Sequence, residues 1–335
     1  MAERPREPEE RPVVIGLSAV VVAVRDGEAM VLTVRPRDRR GVVSEQCGVP
    51  FGPFDPDSHR TFELALRAFV TQQTRFELGY VEQLYTFGDR GRDAPVADMG
   101  PGAAPARVIS VGYLGLTPKV VDTHAPDTAW ASWARFFPYE DWRHGRPRAV
   151  SALEPALRAW AERGGSDAAT RLARASLLFA LDDTPWNEER VLERYELLYE
   201  AGLAPEATRD RGEAACALDE GVIAAAGEPM ISDHRRILAT ALQRLRGKLK
   251  YRPVVFELMP EAFTLSALQR TVEAIAGVPL HKQNFRRALE RTGLVEGLGR
   301  MDAGTGGRPA ELFRFRREML GARLVSGLSL PPLRD

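Results

Sequence analysis

A short stretch near the C-terminal end carries four side chains suited to contact with DNA. Lys282 and Arg286 are four residues apart, as are Gln283 and Arg287, so a helix would place all four on one face. Lysine and arginine bind phosphates and guanine edges, whereas glutamine and asparagine fit the edge of adenine. Asn284 lies at the border of this face and is the fifth candidate base contact. The apolar face of the predicted helix, residues 280–291, would consist of His281, Phe285, Ala288 and Leu289.

The flanking sequence predicts the elements that would present this helix. Thr264 can cap a preceding helix, which Gly277-Val278-Pro279 would end. A glycine-rich tip at 304–308 precedes a strand at 312–316, in which aromatic and basic residues alternate. Helix, tight turn, second helix and hairpin together predict a winged helix-turn-helix, which we assign to residues 252–325.

Three residues outside the second helix are further predicted DNA contacts. Thr264 and Ser266 lie at the start of the first helix, and Arg308 lies in the wing. The alternatives are an amphipathic helix with a solvated basic face, and a winged helix that binds a protein or RNA.

The distribution of charge favours an approach to a polyanion from one end only. The chain of 335 residues has 46 Lys and Arg and 46 Asp and Glu, but residues 233–335 hold 19 of the former and 10 of the latter. The remainder is therefore acidic and would be repelled by DNA.

The two cysteines, Cys47 and Cys216, have no metal-binding spacing and favour a reducing compartment. The apolar run 13–24 is too short for a membrane span, so we expect a buried strand of a cytoplasmic protein.

The N-terminal part predicts an α/β domain at 13–142, after a disordered arm at 1–12. Strands alternate with one amphipathic helix, a pattern typical of this class. The predicted strands are 13–24, 29–34, 83–87, 108–116 and 130–137, and the predicted helix is 61–73.

This order resembles the Nudix fold, in which a glycine-rich turn and the following helix carry glutamates that bind Mg²⁺. Val49-Pro50-Phe51-Gly52 stands at the place of the turn, and Arg67 matches the arginine of the motif. The three helical carboxylates are replaced by Ala68, Thr71 and Gln72. Pyrophosphate hydrolysis by this route needs Mg²⁺ held by several oxygens. We therefore expect no catalytic residues and no metal site. The alternative is that the helix belongs only to the core and the turn is only a turn.

Further motifs resemble the NrtR-like regulators of NAD metabolism, in which a Nudix-related domain senses a nucleotide and a winged helix binds operators. A segment at 143–227, rich in Ala, Leu, Glu and Arg, interrupts the similarity and resembles the insertion of the longer NadQ branch. Residues 228–251 would form the last helix of the sensor domain and the connector. The matching stretches include 84–89, 107–113, 233–238, 244–251, 284–287 and 307–310.

The resemblance implies a DNA-binding transcriptional repressor of NAD biosynthesis genes that needs no cofactor and acts as a homodimer away from membranes. Its partners would be operator DNA upstream of those genes and an effector: ADP-ribose, NAD or ATP. The predicted effector contacts are Arg35 and Arg37 for phosphate, Phe51 or Tyr113 for the adenosine part, and Arg67. Two other functions are compatible with the sequence. One is a hydrolase of ADP-ribose with metal on Asp55, Asp57 or Glu63, and the other is a protein-binding module.

Overall fold

The structure is a computed structural model that describes residues 13–320, without 39, 89–106, 122, 124, 213–218 and 303–308. The predicted arm at 1–12, Cys216 and the wing residue Arg308 lie outside the described residues. So do Gly304 and the chain after 320.

The N-terminal domain is built on a mixed sheet of six strands. These are β1 (Val13–Arg25), β2 (Glu28–Val34), β3 (Phe51–Pro53), β4 (Tyr80–Phe87), β5 (Arg107–Leu116) and β6 (Thr128–Ser132). The strand order is β4-β5-β1-β2-β6, and β3 pairs with β1. The central strands β1 and β5 are parallel and align Val13 with Arg107 through Val22 with Leu116. Asp26 and Gly27 both have positive φ and make the tight turn between β1 and β2.

One predicted strand is only partly correct. Residues 130–137 were expected to be extended, but β6 ends at Ser132 and a 3-10 helix, Trp133–Arg135, follows. The hydroxyl of Ser132 accepts a hydrogen bond from the amide of Ala134 at 3.3 Å, which stabilises the start of the turn. The pairing of β6 with β2 stops at Ser132 and Met30, although β2 itself begins at Glu28, and the chain then turns to bury Phe136 and Phe137 in the core.

Helix α1 (Phe62–Thr74) covers one face of the sheet. The side chain of Thr61 caps it by accepting from the amide of Leu64. Alternation along β1 divides the core: Leu17 and Val21 pack with α1, whereas Val20 and Val22 face the opposite side. That opposite side is where the rest of the chain packs.

The predicted insertion is helical. It contains α2 (Arg148–Glu162), a 3-10 turn (Gly165–Asp167), α3 (Ala168–Phe179), α4 (Val191–Glu200), α5 (Pro205–Arg211) and α6 (Glu220–Ala226). Thr184-Pro185, a pair that favours a helix start, does not begin a helix here, because α4 begins at Val191. The carbonyls of Asn187 and Glu188 accept hydrogen bonds from the side chain of Arg194 instead of from a helical ladder.

The long helix α7 (His234–Leu249) connects the two ends of the molecule. A 3-10 helix (Val254–Leu258) leads into β7 (Phe263–Thr264), α8 (Leu265–Ala276), α9 (Lys282–Thr292), β8 (Val295–Asp302), β9 (Ala310–Phe315) and a final 3-10 turn (Arg317–Leu320). The small sheet has the order β7-β9-β8, as in a winged helix-turn-helix. Phe315 stacks on Phe256 with 4.1 Å between ring centroids, which joins β9 to the 3-10 helix that precedes β7. No helix within these described ranges is long and apolar enough to cross a membrane.

Candidate nucleic-acid interface and nucleotide pocket

Helix α9 presents the predicted polar side chains to solvent. Lys282, Gln283, Arg286 and Arg287 are exposed, and Asn284 is half-buried at the border of the face. The apolar face predicted from Phe285, Ala288 and Leu289 is confirmed, because all three are buried. His281 is the exception: it lies at the N-cap of α9 and is exposed, not packed.

The turn before α9 is held by the side chains of α8. Glu273 accepts a hydrogen bond from the amide of Leu280 at 2.9 Å. Gln269 donates to the carbonyl of Leu280, also at 2.9 Å. Because both backbone groups of Leu280 are satisfied from α8, the angle at which α9 leaves the turn is fixed.

The cations of α9 are free to bind an external anion. Within the described part of the chain, the side chains of Lys282, Arg286 and Arg287 form no ion pair. Lys282 is also the first residue of α9, where the helix dipole and the unpaired amides favour phosphate. The surface therefore has the chemistry expected of a recognition helix.

The other predicted contacts have different outcomes. Thr264 is buried, and its hydroxyl accepts from the amide of Ala267 at 3.1 Å, so the structure gives this side chain a capping role in place of the predicted contact. Ser266 is half-buried in the first turn of α8 and stays a prediction. Arg308 lies outside the described residues, as stated above.

A cleft of about 460 Å³ in the N-terminal domain brings together three of the five predicted effector contacts. Arg35, Arg37 and Phe51 line it, together with Gln72. This volume is within the range of small-molecule sites. Gln73 of α1 fixes the backbone of Phe51 from both sides, because it donates to the carbonyl at 2.6 Å and accepts from the amide at 3.3 Å.

The two arginines of the cleft differ in availability. Arg37 pairs with Asp127 at 2.6 Å and also donates to the carbonyl of Gly41. Arg35 is exposed, and no ion pair engages its side chain among the residues that the structure describes. Arg35 is therefore the better placed of the two to meet a phosphate, whereas Arg37 shapes the rim.

Arg67 and Tyr113 do not line the cleft. Arg67 pairs with Glu63 at 2.9 Å and donates to the carbonyls of Leu78 and Gly79, so it ties α1 to the loop that follows. Tyr113 is buried in the core beneath α1, and burial raises the pKa of its hydroxyl. The cleft therefore gives no support to the effector contacts predicted at these two positions, which stay predictions.

The positions at which the Nudix motif has carboxylates are solvent-facing here. Ala68, Thr71 and Gln72 are exposed on α1, and only Gln72 of the three reaches the cleft. The carboxylate of Asp55 accepts from the Ser58 hydroxyl in a local turn. No group of three or more His, Cys, Asp or Glu residues that could hold a metal is present among the described residues.

Sequence reasoning missed a set of buried arginines. Arg194, Arg235 and Arg246 are 0–1% exposed, although arginine is seldom fully buried in proteins. A signal was available for two of them. Arg235 and Arg246 share one helical stripe with Ala239, Leu242 and Leu249, all of which are buried.

Part of the chain matches a known protein family and a curated relative. The family model described as the NrtR DNA-binding winged helix domain matches residues 255–315. A curated relative, the ADPR responsive transcriptional repressor NtrR of Acinetobacter baylyi, is 41% identical over 83 residues. That match covers 25% of this chain and 33% of the relative, so it spans only a third of the relative's length.

Solved structures match over most of the chain. NrtR of Shewanella oneidensis, in a crystal structure with a 27mer DNA, superposes with a TM-score of 0.54 and 18% identity, over 93% of this chain and 98% of that chain. A MutT/nudix family protein from Enterococcus faecalis gives a TM-score of 0.50 and 14% identity, over 94% of this chain and 90% of that chain. The chain therefore has the fold of these two solved structures, and its residues 255–315 match the NrtR type of DNA-binding winged helix domain.

Proposed function

We propose that this protein is a DNA-binding transcriptional regulator, a repressor of genes for NAD biosynthesis. The observation that carries the proposal is helix α9, which presents Lys282, Gln283, Arg286 and Arg287 to solvent without internal partners in the described chain. The match of this domain to the NrtR winged helix family supports DNA as the partner.

The proposed effector is ADP-ribose, with NAD and ATP as the related candidates. The curated relative is named as ADPR responsive, and the present chain has a cleft at the place of the Nudix pocket. Arg35 would bind a phosphate, and Phe51 would contact the adenine or a ribose. The ligand can act only if it has unequal affinities for the DNA-binding and non-binding states.

We further propose that the cleft binds its ligand without cutting it. Ala68 has no ligand atom, and Thr71 and Gln72 are neutral, so α1 offers Mg²⁺ no charged oxygens at the motif positions. Of the alternative carboxylates, Glu63 is engaged by Arg67 at 2.9 Å. A hydrolase would have to assemble its metal site from other residues.

A homodimer would fit a palindromic operator. Two copies would place their α9 helices about 34 Å apart, one turn of the duplex, so that both enter the major groove on one side. The acidic N-terminal parts would then face away from the phosphates.

The experiment is a gel-shift titration with DNA from upstream of NAD-synthesis genes, with and without ADP-ribose, NAD and ATP. Specific binding that weakens steeply with salt, and that one of these nucleotides changes, is expected. Binding equal to that of random DNA would reject the regulator. Chromatography of ADP-ribose after incubation with protein and Mg²⁺ tests the hydrolase, and release of AMP would contradict binding without cutting.

A further inference from the structure

A buried charge cluster lies where the three parts of the molecule meet. Glu140 pairs with Arg194 and with Arg246, each at 2.5 Å, and all three side chains are 0–1% exposed. Arg194 comes from α4 of the insertion, Arg246 comes from α7, and Glu140 lies between the sheet and the insertion. We call these residues the Glu140 triad. Its charges have no access to water, so the two cations depend on the one carboxylate and on the carbonyls to which they donate.

The triad holds the end of α8, the first helix of the helix-turn-helix. Arg246 donates through Nε to the carbonyl of Ile275 at 2.9 Å and through Nη2 to the carbonyl of Glu140 at 3.2 Å. The amide of Trp142 donates to the carbonyl of Gly277 at 2.6 Å. These bonds join the last turn of α8 directly to α7 and to the segment 140–142.

Gly277 shows how closely these surfaces approach. Its φ of +72° is the left-handed conformation that ends α8. A Cβ at this position would lie 2.4 Å from the Glu140 carbonyl oxygen and 2.6 Å from Nη2 of Arg246. The backbone of the helix-turn-helix is therefore in direct contact with the triad, with no room for adjustment.

The other end of α7 contacts the nucleotide cleft. His234, the first residue of α7, accepts a hydrogen bond at Nδ1 from the amide of Val49 at 3.2 Å. Its ring meets the ring of Phe51 edge-on, with centroids 4.9 Å apart. A Cβ on Gly48 would lie 2.4 Å from the same Nδ1, so this contact is as close as that at Gly277. Because Phe51 lines the cleft, α7 joins the cleft to the triad over about 18 Å of continuous helix.

A fully buried charge cluster has few tolerable geometries. A shift of α7 by about 1 Å would stretch the bonds of Arg246 to Glu140 and to Ile275 together, and neither group has water as a substitute. Rigid helices that move past such contacts pass between discrete arrangements. The insertion takes part because Arg194 donates to Oε1 of Glu140, whereas Arg246 donates to Oε2. The Arg194 guanidinium in turn lies 3.8 Å from the centroid of the Trp186 ring.

We propose that the Glu140 triad is the coupling element that passes the state of the cleft to the helix-turn-helix, and that the insertion supplies one of its three charges. Glu140, Arg194 and Arg246 are then positioning residues that touch neither DNA nor nucleotide. The inference rests on the proposed function, because it requires a nucleotide that changes DNA binding.

The first test uses the unaltered protein. Hydrogen exchange is measured with and without ADP-ribose, and binding of ADP-ribose is followed by calorimetry in the same buffer. We expect binding to change exchange at the Trp142 amide and at residues 275–277 by about tenfold. Binding heat without any change at these amides would overturn the inference while leaving the effector intact. Absence of heat would instead remove the effector from the proposed function, and the coupling with it.

The second test compares Arg246→Met with the matched control Arg236→Met. Arg236 also lies on α7 and pairs with the insertion, through Glu196 at 2.6 Å, but it is close to the start of the helix, whereas Arg246 is close to its end. The readout is the ratio of operator Kd values with and without ADP-ribose. We expect the ratio to fall to within about twofold of one in Arg246→Met and to stay at the value of the unaltered protein in the control. A purely structural role would weaken both Kd values equally and keep the ratio, which would overturn the proposal.

A third variant separates coupling from folding. Replacing the triad by apolar residues of similar size, Glu140→Leu, Arg194→Met and Arg246→Met together, removes its three charges at once, a change that proteins often tolerate. We expect a melting temperature near that of the unaltered protein and a Kd ratio near one. A retained ratio in this folded variant would contradict the proposal, and the exchange measurement decides the matter if the variant does not fold.

Discussion

The two basic helices α7 and α9 use the same charges in opposite ways. In α7, Arg235 and Arg246 are buried and Lys248 pairs with Glu82. In α9, Arg286 and Arg287 are exposed, and no ion pair engages them within the described chain. A count of positive residues does not distinguish the two helices. What distinguishes them is whether acidic side chains and carbonyls of the same chain lie within reach.

The surroundings explain the difference. Helix α7 lies between the sheet and the insertion, so Glu82, Glu196 and Glu206 meet it from several sides. Helix α9 packs through Phe285 and Leu289 and leaves its other face to solvent. Charges that satisfy internal partners add stability and position, whereas charges without partners are available for phosphate. Four predictions test this division, from the largest expected effect to the smallest.

Removal of a buried cation of α7 should destabilise the whole fold. Arg235 donates through Nη1 to the carbonyls of Ala226 and Gly227 and pairs with Glu206 at 3.1 Å. Arg235→Met leaves this carboxylate buried without its cation, and we expect a loss of about 3–5 kcal/mol in the free energy of unfolding. Arg244 is exposed on the same helix, so Arg244→Met is the control and should change the free energy of unfolding by about 0.5 kcal/mol or less. Urea denaturation measures both, and equal losses would refute the distinction.

Removal of two free cations of α9 should leave the fold intact and weaken DNA binding. We expect Arg286→Ala with Arg287→Ala to lower operator affinity about a hundredfold, since a hydrogen bond to a charged group is worth about 1.5 kcal/mol or more. The slope of log Kd against log salt should fall by about 2. Arg163→Ala, an exposed arginine at the end of α2, is the control. If fluorescence anisotropy finds operator affinity unchanged in the double variant, α9 is not the recognition helix.

Gln283 should affect the choice of bases more than the overall affinity. A bidentate contact of glutamine with adenine contributes about 1–3 kcal/mol of discrimination. We therefore expect Gln283→Ala to lower affinity for the operator about tenfold and to leave affinity for random DNA unchanged. Arg287→Ala, by contrast, should weaken both. Competition binding against a randomised oligonucleotide pool distinguishes the two outcomes.

The smallest effect concerns the ion pair between β4 and α7. Burial raises the pKa of Glu82, but hydrogen bonds from Lys248 and Tyr80 outweigh it and hold this pKa below its usual value of 4.5. The carboxylate therefore contributes stability above pH 4.5 that is lost as pH falls through the lowered pKa. We expect Glu82→Gln to remove this pH-dependent contribution, which is at most about 1 kcal/mol in the free energy of unfolding because the pair is partly solvated. Urea midpoints at neutral and acidic pH measure it, and parallel curves for both proteins would show that the pair does not contribute.

The sequence predicted much of the fold because most elements follow from local pattern. Strands β1, β2 and β5, helix α1 and the helix-turn-helix lie close to where periodicity placed them. The errors fall where tertiary contacts override that pattern. Strand β6 ends where the chain turns to bury Phe136 and Phe137 in the core. The start of α4 depends on Arg194, which withdraws the carbonyls of Asn187 and Glu188 from a helix.

The sites show the same contrast. The exposed face of α9 follows from spacing, since an amphipathic helix must turn its charged side away from the core. The lining of the cleft does not follow from spacing. Three of the five predicted contacts line it, whereas Arg67 binds a loop carbonyl and Tyr113 packs in the core. Residues near one another in a motif can point to different sides of a sheet or helix, and only the packing decides which side holds the ligand.

By itself, the sequence determined the order of the elements, the absence of carboxylates at positions 68, 71 and 72 and the charged face of α9, because each depends on residue type and local spacing. Only the tertiary structure decided which arginines are free and which are buried. Glu140, Arg194 and Arg246 are separated by more than fifty residues in the chain and meet at 2.5 Å only after three parts of the fold have packed. No local pattern encodes such a contact, since its stability comes from the joint exclusion of water around all three charges.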